Sequence, residues 1–330
     1  MKGMMHMRFL PTGTIIGLAA LLLTGCLKNE WEECIEDGKV ELDAYITKNN
    51  IAESYKVEFT DGYLYHIPEI VGTGLFPEAN NYIVVDYTGT YLDGTIIETT
   101  DSSLKDDWDH ANVYTDYAYG PAKFQYGYSS PGFNGGLSLM QEGGFSTLII
   151  PTELAYYNCH PVKYTINLLK VIRDPVAYEK EMLVWYLSEN GMDTVSNAYN
   201  SIYYKEVAST GDTLSVSEGD TLLIRFTGNY TYEREGSLFL KEFDGNTGDA
   251  NPLKIVYGSN EIFGGSIKYM PAGFTAALDT MSKGTQALAV LPYTQAFGTT
   301  GLVNTLYGYY IVPQYQTVIY DIYIQDIKRP

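Results

Sequence analysis

Three short blocks of this chain recur, in the same order, roughly one domain length further on. Val84-Val-Asp-Tyr-Thr-Gly-Thr-Tyr91 answers to Leu223-Ile-Arg-Phe-Thr-Gly-Asn-Tyr230 at an offset of 139. Gly132-Phe-Asn-Gly-Gly-Leu-Ser-Leu-Met140 answers to Gly273-Phe-Thr-Ala-Ala-Leu-Asp-Thr-Met281, and Ile150-Pro-Thr-Glu-Leu-Ala-Tyr156 to Leu291-Pro-Tyr-Thr-Gln-Ala-Phe297, both at 141. Blocks repeated at nearly one spacing mean that one domain occurs twice, so the fold must close within a single copy. The length of 330 residues accommodates two such domains. The copies part company after Phe297, where Gly298–Pro313 faces a much shorter counterpart, Tyr157–Pro161. Even the leaders correspond, Ala44–Asn50 beside Trp185–Gly191.

Each copy carries the same coarse plan. Alternating or β-branched runs predict strands over Tyr82–Tyr87, Thr147–Ile150 and Tyr164–Ile172, with partners at Thr221–Phe226, Gln286–Leu291 and Thr317–Ile327. Phe133, Gly136, Leu137 and Met140 share one helix face, as do Phe274, Ala277, Leu278 and Met281. Gly143 and Gly284 follow where a helix C-cap wants a positive φ. One helix among several strands reads as α+β, a sheet wrapped on the helix. The first domain is assigned to residues 60–173 and the second to 205–330, with 26–59 and 174–204 as leaders. In the second leader, Pro175–Asn190 reads as a helix with Met182, Val184 and Tyr186 as its apolar residues and Glu179 and Glu181 near its start.

Charge and the N-terminus bound the setting. The formal net charge is −19, and residues 1–25, which carry Lys2 and Arg8 and no acid, make the remainder more acidic still. Nothing in so acidic a chain offsets phosphate repulsion, which excludes a nucleic-acid partner. The apolar run Ile15–Leu23 is too short to span a bilayer, which takes about 20 residues, but suits a signal peptide. It ends in Leu23-Thr-Gly-Cys26, which resembles the bacterial lipobox. Residues 1–25 are then a leader, and a lipidated Cys26 anchors the protein in the cell envelope. Leu27 in place of an Asp after that cysteine fits outer-membrane sorting, and Glu30, Glu32 and Glu33 resemble export signals of surface lipoproteins. Cys34 and Cys159 are either bridged or two free thiols; spacing does not choose. His6, His66, His110 and His160 show no metal-ligand spacing. The acidic insertion Thr99–Lys123, with Tyr114, Tyr117 and Tyr119, the segment Ser259–Met270 and the run Asp244–Asp249 lack the spacing of a calcium loop and read as solvated loops.

The blocks resemble the FKBP-type peptidyl-prolyl isomerases. In the first copy the resemblance runs through Asp86-Tyr-Thr-Gly89, Pro131-Gly-Phe133 and Leu148–Tyr156; in the second through Arg225-Phe-Thr-Gly228, Glu242-Phe-Asp244, Pro271-Ala-Gly-Phe274, Ala296-Phe-Gly298 and Ile311–Asp321. It covers roughly 60–172 and 205–328. The family fold, an antiparallel sheet curled around one short helix, agrees with the strand and helix pattern. The resemblance implies isomerisation of X-Pro bonds in proline-containing polypeptides, with neither metal nor cofactor. In the second copy it places Phe226, Phe243, Asp244, Phe274, Phe297, Ile311 and Tyr320 in the pocket, and Phe297 stands where the family has a carbonyl-holding tyrosine. Leu253 replaces a common Phe. In the first copy it places Tyr87, Ile97, Glu98, Phe133, Tyr156 and Tyr164 there, with Ile97 and Glu98 replacing the Phe-Asp pair. Catalysis is expected more of the second copy than of the first. The alternative is a surface lipoprotein whose domains hold peptide, protein or glycan without turnover.

Overall fold

The computed structural model describes residues 30–106, 119–155, 159–234, 236–258, 262–263, 270–304 and 309–330. Ile15–Leu23, Cys26, Tyr156, Tyr114, Tyr117 and most of the two insertions lie outside them.

The first copy runs α1 (Glu30–Lys48), β1 (Lys56–Phe59), β2 (Gly62–Ile70), β3 (Tyr82–Tyr91), β4 (Ile96–Thr99), β5 (Ala122–Gln125), α2 (Pro131–Ser138), β6 (Gly144–Ile150) and β7 (Val162–Ile172). The second runs α3 (Pro175–Glu189), β8 (Ala198–Tyr199), β9 (Ile202–Ser209), β10 (Thr221–Arg234), β11 (Ser237–Gly245), β12 (Leu253–Val256), β13 (Ile262–Phe263), α4 (Ala272–Leu278), β14 (Thr285–Leu291), β15 (Leu302–Asn304), β16 (Tyr309–Val312) and β17 (Val318–Lys328). Each forms an antiparallel sheet. The first has order β1-β2-β6-β7-β3-β4 with β5 also on β3, and the second β13-β12-β10-β17-β14-β9-β8 with β11 also on β10.

The repeat extends to the irregularities. The β3–β7 register shifts between Val84 and Val85, and β10–β17 between Leu223 and Ile224; β3–β4 shifts between Gly89 and Thr90, and β10–β11 between Gly228 and Asn229. These are equivalent positions in the two copies, and such bulges bend a sheet so that it can curl. Buried residues alternate along β7 and β10, the period of a strand with one face on a core. Inside each curl lies the short helix: Phe133, Leu137 and Met140 are buried in the first core, and Phe274, Ala277, Leu278 and Met281 in the second.

Gly143 and Gly284 do have positive φ, +83° and +74°. They are not helix caps, however. The helices end at Ser138 and Leu278, with right-handed Leu139 and Asp279 as caps. The glycines instead stand at the turn into the next strand, donating to Leu168 O at 2.7 Å and Ile324 O at 2.8 Å.

Each leader contains a helix that packs on the outer face of its sheet, and each also supplies strands to that sheet, β1 in the first and β8 with the start of β9 in the second. Leu42 of α1 meets Tyr65 and Ile149, while Leu183, Tyr186 and Leu187 of α3 meet Val290 and Ile319. Val184 is 44% exposed, because only Met182, Leu183, Tyr186 and Leu187 share the inward stripe. Asp174 caps α3, accepting from Val176 N at 3.1 Å and Ala177 N at 3.0 Å, and Glu179 is buried at the junction of the copies. Glu30, Glu32 and Glu33 occupy the first turn of α1, where negative charge suits the helix dipole. Cys34 and Cys159 form a disulfide that ties α1 to the loop before β7. Among the described residues no helix is long and apolar enough to cross a membrane.

Candidate functional site

In the second copy β10, α4 and β17 bring three rings together under the curl. Phe274 lies 4.8 Å from Tyr320 and 5.9 Å from Phe226, centroid to centroid, and Phe226 lies 6.2 Å from Tyr320. All three are buried and form a floor. Above them Phe243 sits 5.9 Å from Tyr320 and 5.7 Å from Phe297, in edge-to-face contacts that suit aromatic quadrupoles. Phe243, Phe297 and Ile311 are half-buried, so the cluster grades from a dry floor to a wetter rim. Leu253 fills the core beside it.

The polar element is Asp244. Burial drives the Tyr320 hydroxyl far above the ordinary tyrosine range, and the negative charge of Asp244 adds to the shift. Tyr320 therefore stays protonated. Asn246 fixes the loop after Asp244 to the strand carrying Phe226, accepting from Phe226 N at 2.8 Å and donating to Ile224 O at 2.9 Å. Arg225 Nη1 donates to Asn246 O at 2.8 Å and Asp249 O at 2.7 Å, so this run is a backbone cage around a guanidinium.

The first copy repeats the floor. Phe133 lies 4.9 Å from Tyr164 and 5.7 Å from Tyr87, with Phe124 6.3 Å away. Ile97 packs against the same core. The polar wiring differs. Glu98 accepts from the Tyr87 hydroxyl at 3.1 Å through one oxygen and from the Tyr164 hydroxyl through the other. Both first-copy tyrosines thus engage one carboxylate. The walls differ too: β15 and β16 pair as a separate hairpin beside the second pocket, whereas only six residues separate Ala155 from Val162.

Several contributors had no name in the sequence reading. A Cβ on Gly89 would lie 2.5 Å from the Tyr164 ring, and one on Gly228 2.8 Å from the Tyr320 ring. The repeated Thr-Gly pair is thus where the floor tyrosine crosses the sheet, a constraint its recurrence could have signalled. Tyr230, 6.5 Å from Phe243, extends the second cluster, and burial raises its hydroxyl pKa. A cleft of about 500 Å³ lies between the copies, bordering the first floor at Tyr87 and lined also by Asp86, Thr88, Asp101, Thr165, Tyr232 and Arg234. There burial pushes the Asp86 carboxyl up while Arg234, 3.2 Å away, opposes the shift. Among the described residues no three His, Cys, Asp or Glu gather as a metal site.

Comparison with known proteins agrees with this geometry. The family model described as FKBP-type peptidyl-prolyl cis-trans isomerase matches residues 74–167 and 213–325, more than half of the chain. The outer membrane protein MIP of Legionella longbeachae is 30% identical over 127 residues, covering 38% of this chain and 47% of that protein. An FKBP-type peptidyl-prolyl cis-trans isomerase FkpA of Aeromonas hydrophila is 32% identical over 114 residues, 34% of this chain and 36% of its own length. The chain thus spans less than half the length of these relatives. Among solved structures, FkpA from Escherichia coli is matched over 43% of this chain and 63% of its own, at 22% identity and a TM-score of 0.33.

Proposed function

The chain belongs to the FKBP-type peptidyl-prolyl cis-trans isomerase family, in two tandem copies, and we propose that its second copy turns X-Pro bonds in exported polypeptides. The observation that carries this is the graded aromatic funnel: Phe226, Phe274 and Tyr320 buried, Phe243, Phe297 and Ile311 half-buried, Asp244 beside them.

Rotation about an amide costs about 18–20 kcal/mol because it breaks resonance. Without help an X-Pro bond exchanges over tens to hundreds of seconds. The twisted amide has lost its resonance dipole, so a site that strips water from it favours that form over the planar one. Aromatic walls do the stripping. The proline ring sits among the half-buried Phe243, Phe297 and Ile311, which the Phe274–Tyr320 floor supports from beneath. Asp244 supplies the one carboxylate near the turning bond. No nucleophile is required.

For the first copy we propose binding without turnover. Glu98 takes both Tyr87 and Tyr164 hydroxyls, which supports a self-satisfied pocket. We also place the protein in the cell envelope, held by a lipid on Cys26. The apolar run and lipobox-like ending support this, as does the Cys34–Cys159 bridge, since disulfides persist in oxidising compartments.

The test is a refolding assay in which proline isomerisation limits a protein substrate, run with the full chain, and with Asp244→Ala and Tyr320→Phe. Acceleration that falls at least tenfold in the double variant, and not in Glu98→Ala, supports the assignment. No acceleration by the folded wild-type chain overturns catalysis and leaves a binding protein. Radiolabelled palmitate incorporated into the wild type but not Cys26→Ser checks the anchor.

A further inference from the structure

The arm that links two walls of the second pocket is held from outside its own domain. Ile311 at the rim and Tyr320 on the floor are joined by Val312–Ile319, and the turn at Tyr315 has a left-handed φ of +50°. Such a backbone costs energy unless its surroundings hold it. Its surroundings come from both sides of the junction. Lys123, on β5 of the first copy, donates from Nζ to Tyr315 O at 3.0 Å and to Gln316 Oε1 at 2.8 Å. The Tyr315 ring lies 5.6 Å from that of Tyr82 in the first copy and 5.3 Å from that of Tyr293. Gln316 passes the link on, donating to Thr231 O and Oγ1. Glu179, on α3, accepts from Thr317 Oγ1 at 2.6 Å and from Tyr293 N at 3.0 Å, four residues before Phe297. Tyr315 N donates to Gly298 O at 3.1 Å, which joins the Phe297 segment to the same turn.

These groups are deeply buried: Lys123 is 8% exposed, Glu179 5% and Gln316 6%. A buried amine or carboxylate is expensive to keep, so its position is fixed by the bonds that satisfy it. Both acceptors that Lys123 reaches lie on one short turn, and Glu179 accepts from Thr317 on the same turn.

We propose that Lys123 of the first copy and Glu179 of the linking helix are positioning residues of the second pocket: they hold the turn that carries Ile311, Tyr320 and, through Gly298, Phe297. The first copy is then a structural part of its neighbour's site. The inference makes a one-way prediction, since the contacts run from the first copy to a pocket wall of the second. Its activity arm rests on the isomerase reading above; its structural arm does not.

The experiment uses the full chain as wild type, Lys123→Met, Gln316→Met and the double variant. Deuterium exchange is followed over residues 311–320 and, as an internal control, over β2 and β6, which do not touch the turn. Loss of two hydrogen bonds to the turn in Lys123→Met should speed exchange there about tenfold, with β2 and β6 unchanged, and the double variant should exchange at least as fast as either single. In parallel, KM for a tetrapeptide with one Phe-Pro bond should rise roughly five- to tenfold while kcat stays within about twofold, because a loosened wall weakens binding. If Lys123→Met does not fold, Glu179→Gln, which keeps the side chain's size while weakening its bonds to Thr317 and Tyr293, tests the other anchor of the same turn, and faster exchange over 311–320 is expected there too. Unchanged exchange over 311–320 in the folded variants overturns the proposal whatever the activity. So does a fall in kcat at constant KM. A wild type without turnover removes the isomerase reading and leaves the exchange result to stand alone.

Discussion

A glutamate in the first copy and an aspartate in the second stand at the same point of the same frame. Around Glu98 two tyrosines converge, from β3 and from β7. Around Asp244 the equivalent of Tyr87 is Phe226, which carries no hydroxyl, and the negative charge of Asp244 acts on the Tyr320 phenol. The longer side chain of Glu98 reaches the hydroxyls of both floor tyrosines in the first copy. The second copy alone carries the β15–β16 hairpin beside its pocket. Two copies with matching register shifts thus differ in the side chains around one frame, Glu98 for Asp244, Ile97 for Phe243 and Tyr87 for Phe226, and in one loop.

The largest predicted difference is in what staples each copy. Cys34–Cys159 closes 125 residues of the first copy, and the second has no cysteine at all. Restricting the unfolded chain over such a loop contributes on the order of 4–5 kcal/mol. Replacing both cysteines by serine should lower the urea midpoint of the first sheet, read by exchange in β3 and β7, while β10 and β17 shift far less. Equal loss in both sheets would break the picture of separately stapled copies.

A second difference is titratable. Burial holds the Lys123 amine down at about 7, from 10.5, with Glu179 opposing the shift. Between those values the folded state binds fewer protons than the unfolded one, so stability rises as pH climbs from 7 and levels off near 10.5. One proton is worth about 1.4 kcal/mol per pH unit, so this group contributes roughly 2 kcal/mol between pH 7 and 9. Burial lowers Lys241 in the same direction, to about 8. The decisive comparison is hence of slopes: urea midpoints of Lys123→Met should rise less steeply with pH than those of the wild type. Parallel slopes would mean that Lys123 does not sit buried at the junction.

The carboxylates themselves give a smaller contrast. Glu98→Ala removes two hydrogen bonds, one of them from the buried Tyr164, and should cost about 2 kcal/mol. Asp244→Ala affects one phenol and should cost about 1 kcal/mol, with its main effect on turnover. Chemical denaturation of the two variants side by side checks this, and equal costs would erase the distinction in wiring.

These contrasts differ in how far the sequence exposes them. The core faces were legible from alternation and from β-branched runs: Thr221–Phe226 alternates within β10, Tyr82–Tyr87 is an apolar run within β3 whose first four residues are all buried, and the Phe133 and Phe274 stripes form helices that end before Met140 and Met281. The pocket floors came from the resemblance and not from that period; the structure brings Phe226, Phe274 and Tyr320 together on the inward face. The outer faces were not legible. Lys123 occupies the opposite phase of β5 from Phe124, and nothing local distinguishes a lysine facing water from one facing a second domain 192 residues away. Val184 misled for the related reason that a helix packed on a sheet buries a narrow stripe. The cysteine pairing needed the loop before β7 brought beside α1, which only the closed sheet provides. Glu98 could be read as a departure from the Phe-Asp pair, but its grip on two hydroxyls depends on Tyr164 lying across Gly89.

The smallest change is the most informative about catalysis. Phe297 lies on the rim, 5.7 Å from Phe243, where the resemblance places a tyrosine that holds a substrate carbonyl. Its ring is half-buried, so an added hydroxyl can point past the rim into solvent without a desolvation cost. In the free protein Phe297→Tyr should therefore leave stability unchanged within about 0.5 kcal/mol. With substrate bound, one new hydrogen bond is worth about 0.5–1.5 kcal/mol, which is roughly two- to tenfold in kcat/KM. A gain of that size would identify the second copy as a working site short of one donor. No gain, in a variant as stable as the wild type, would mean that the substrate carbonyl does not pass this rim, and the funnel would then have to hold its ligand in some pose other than that of a turning X-Pro bond.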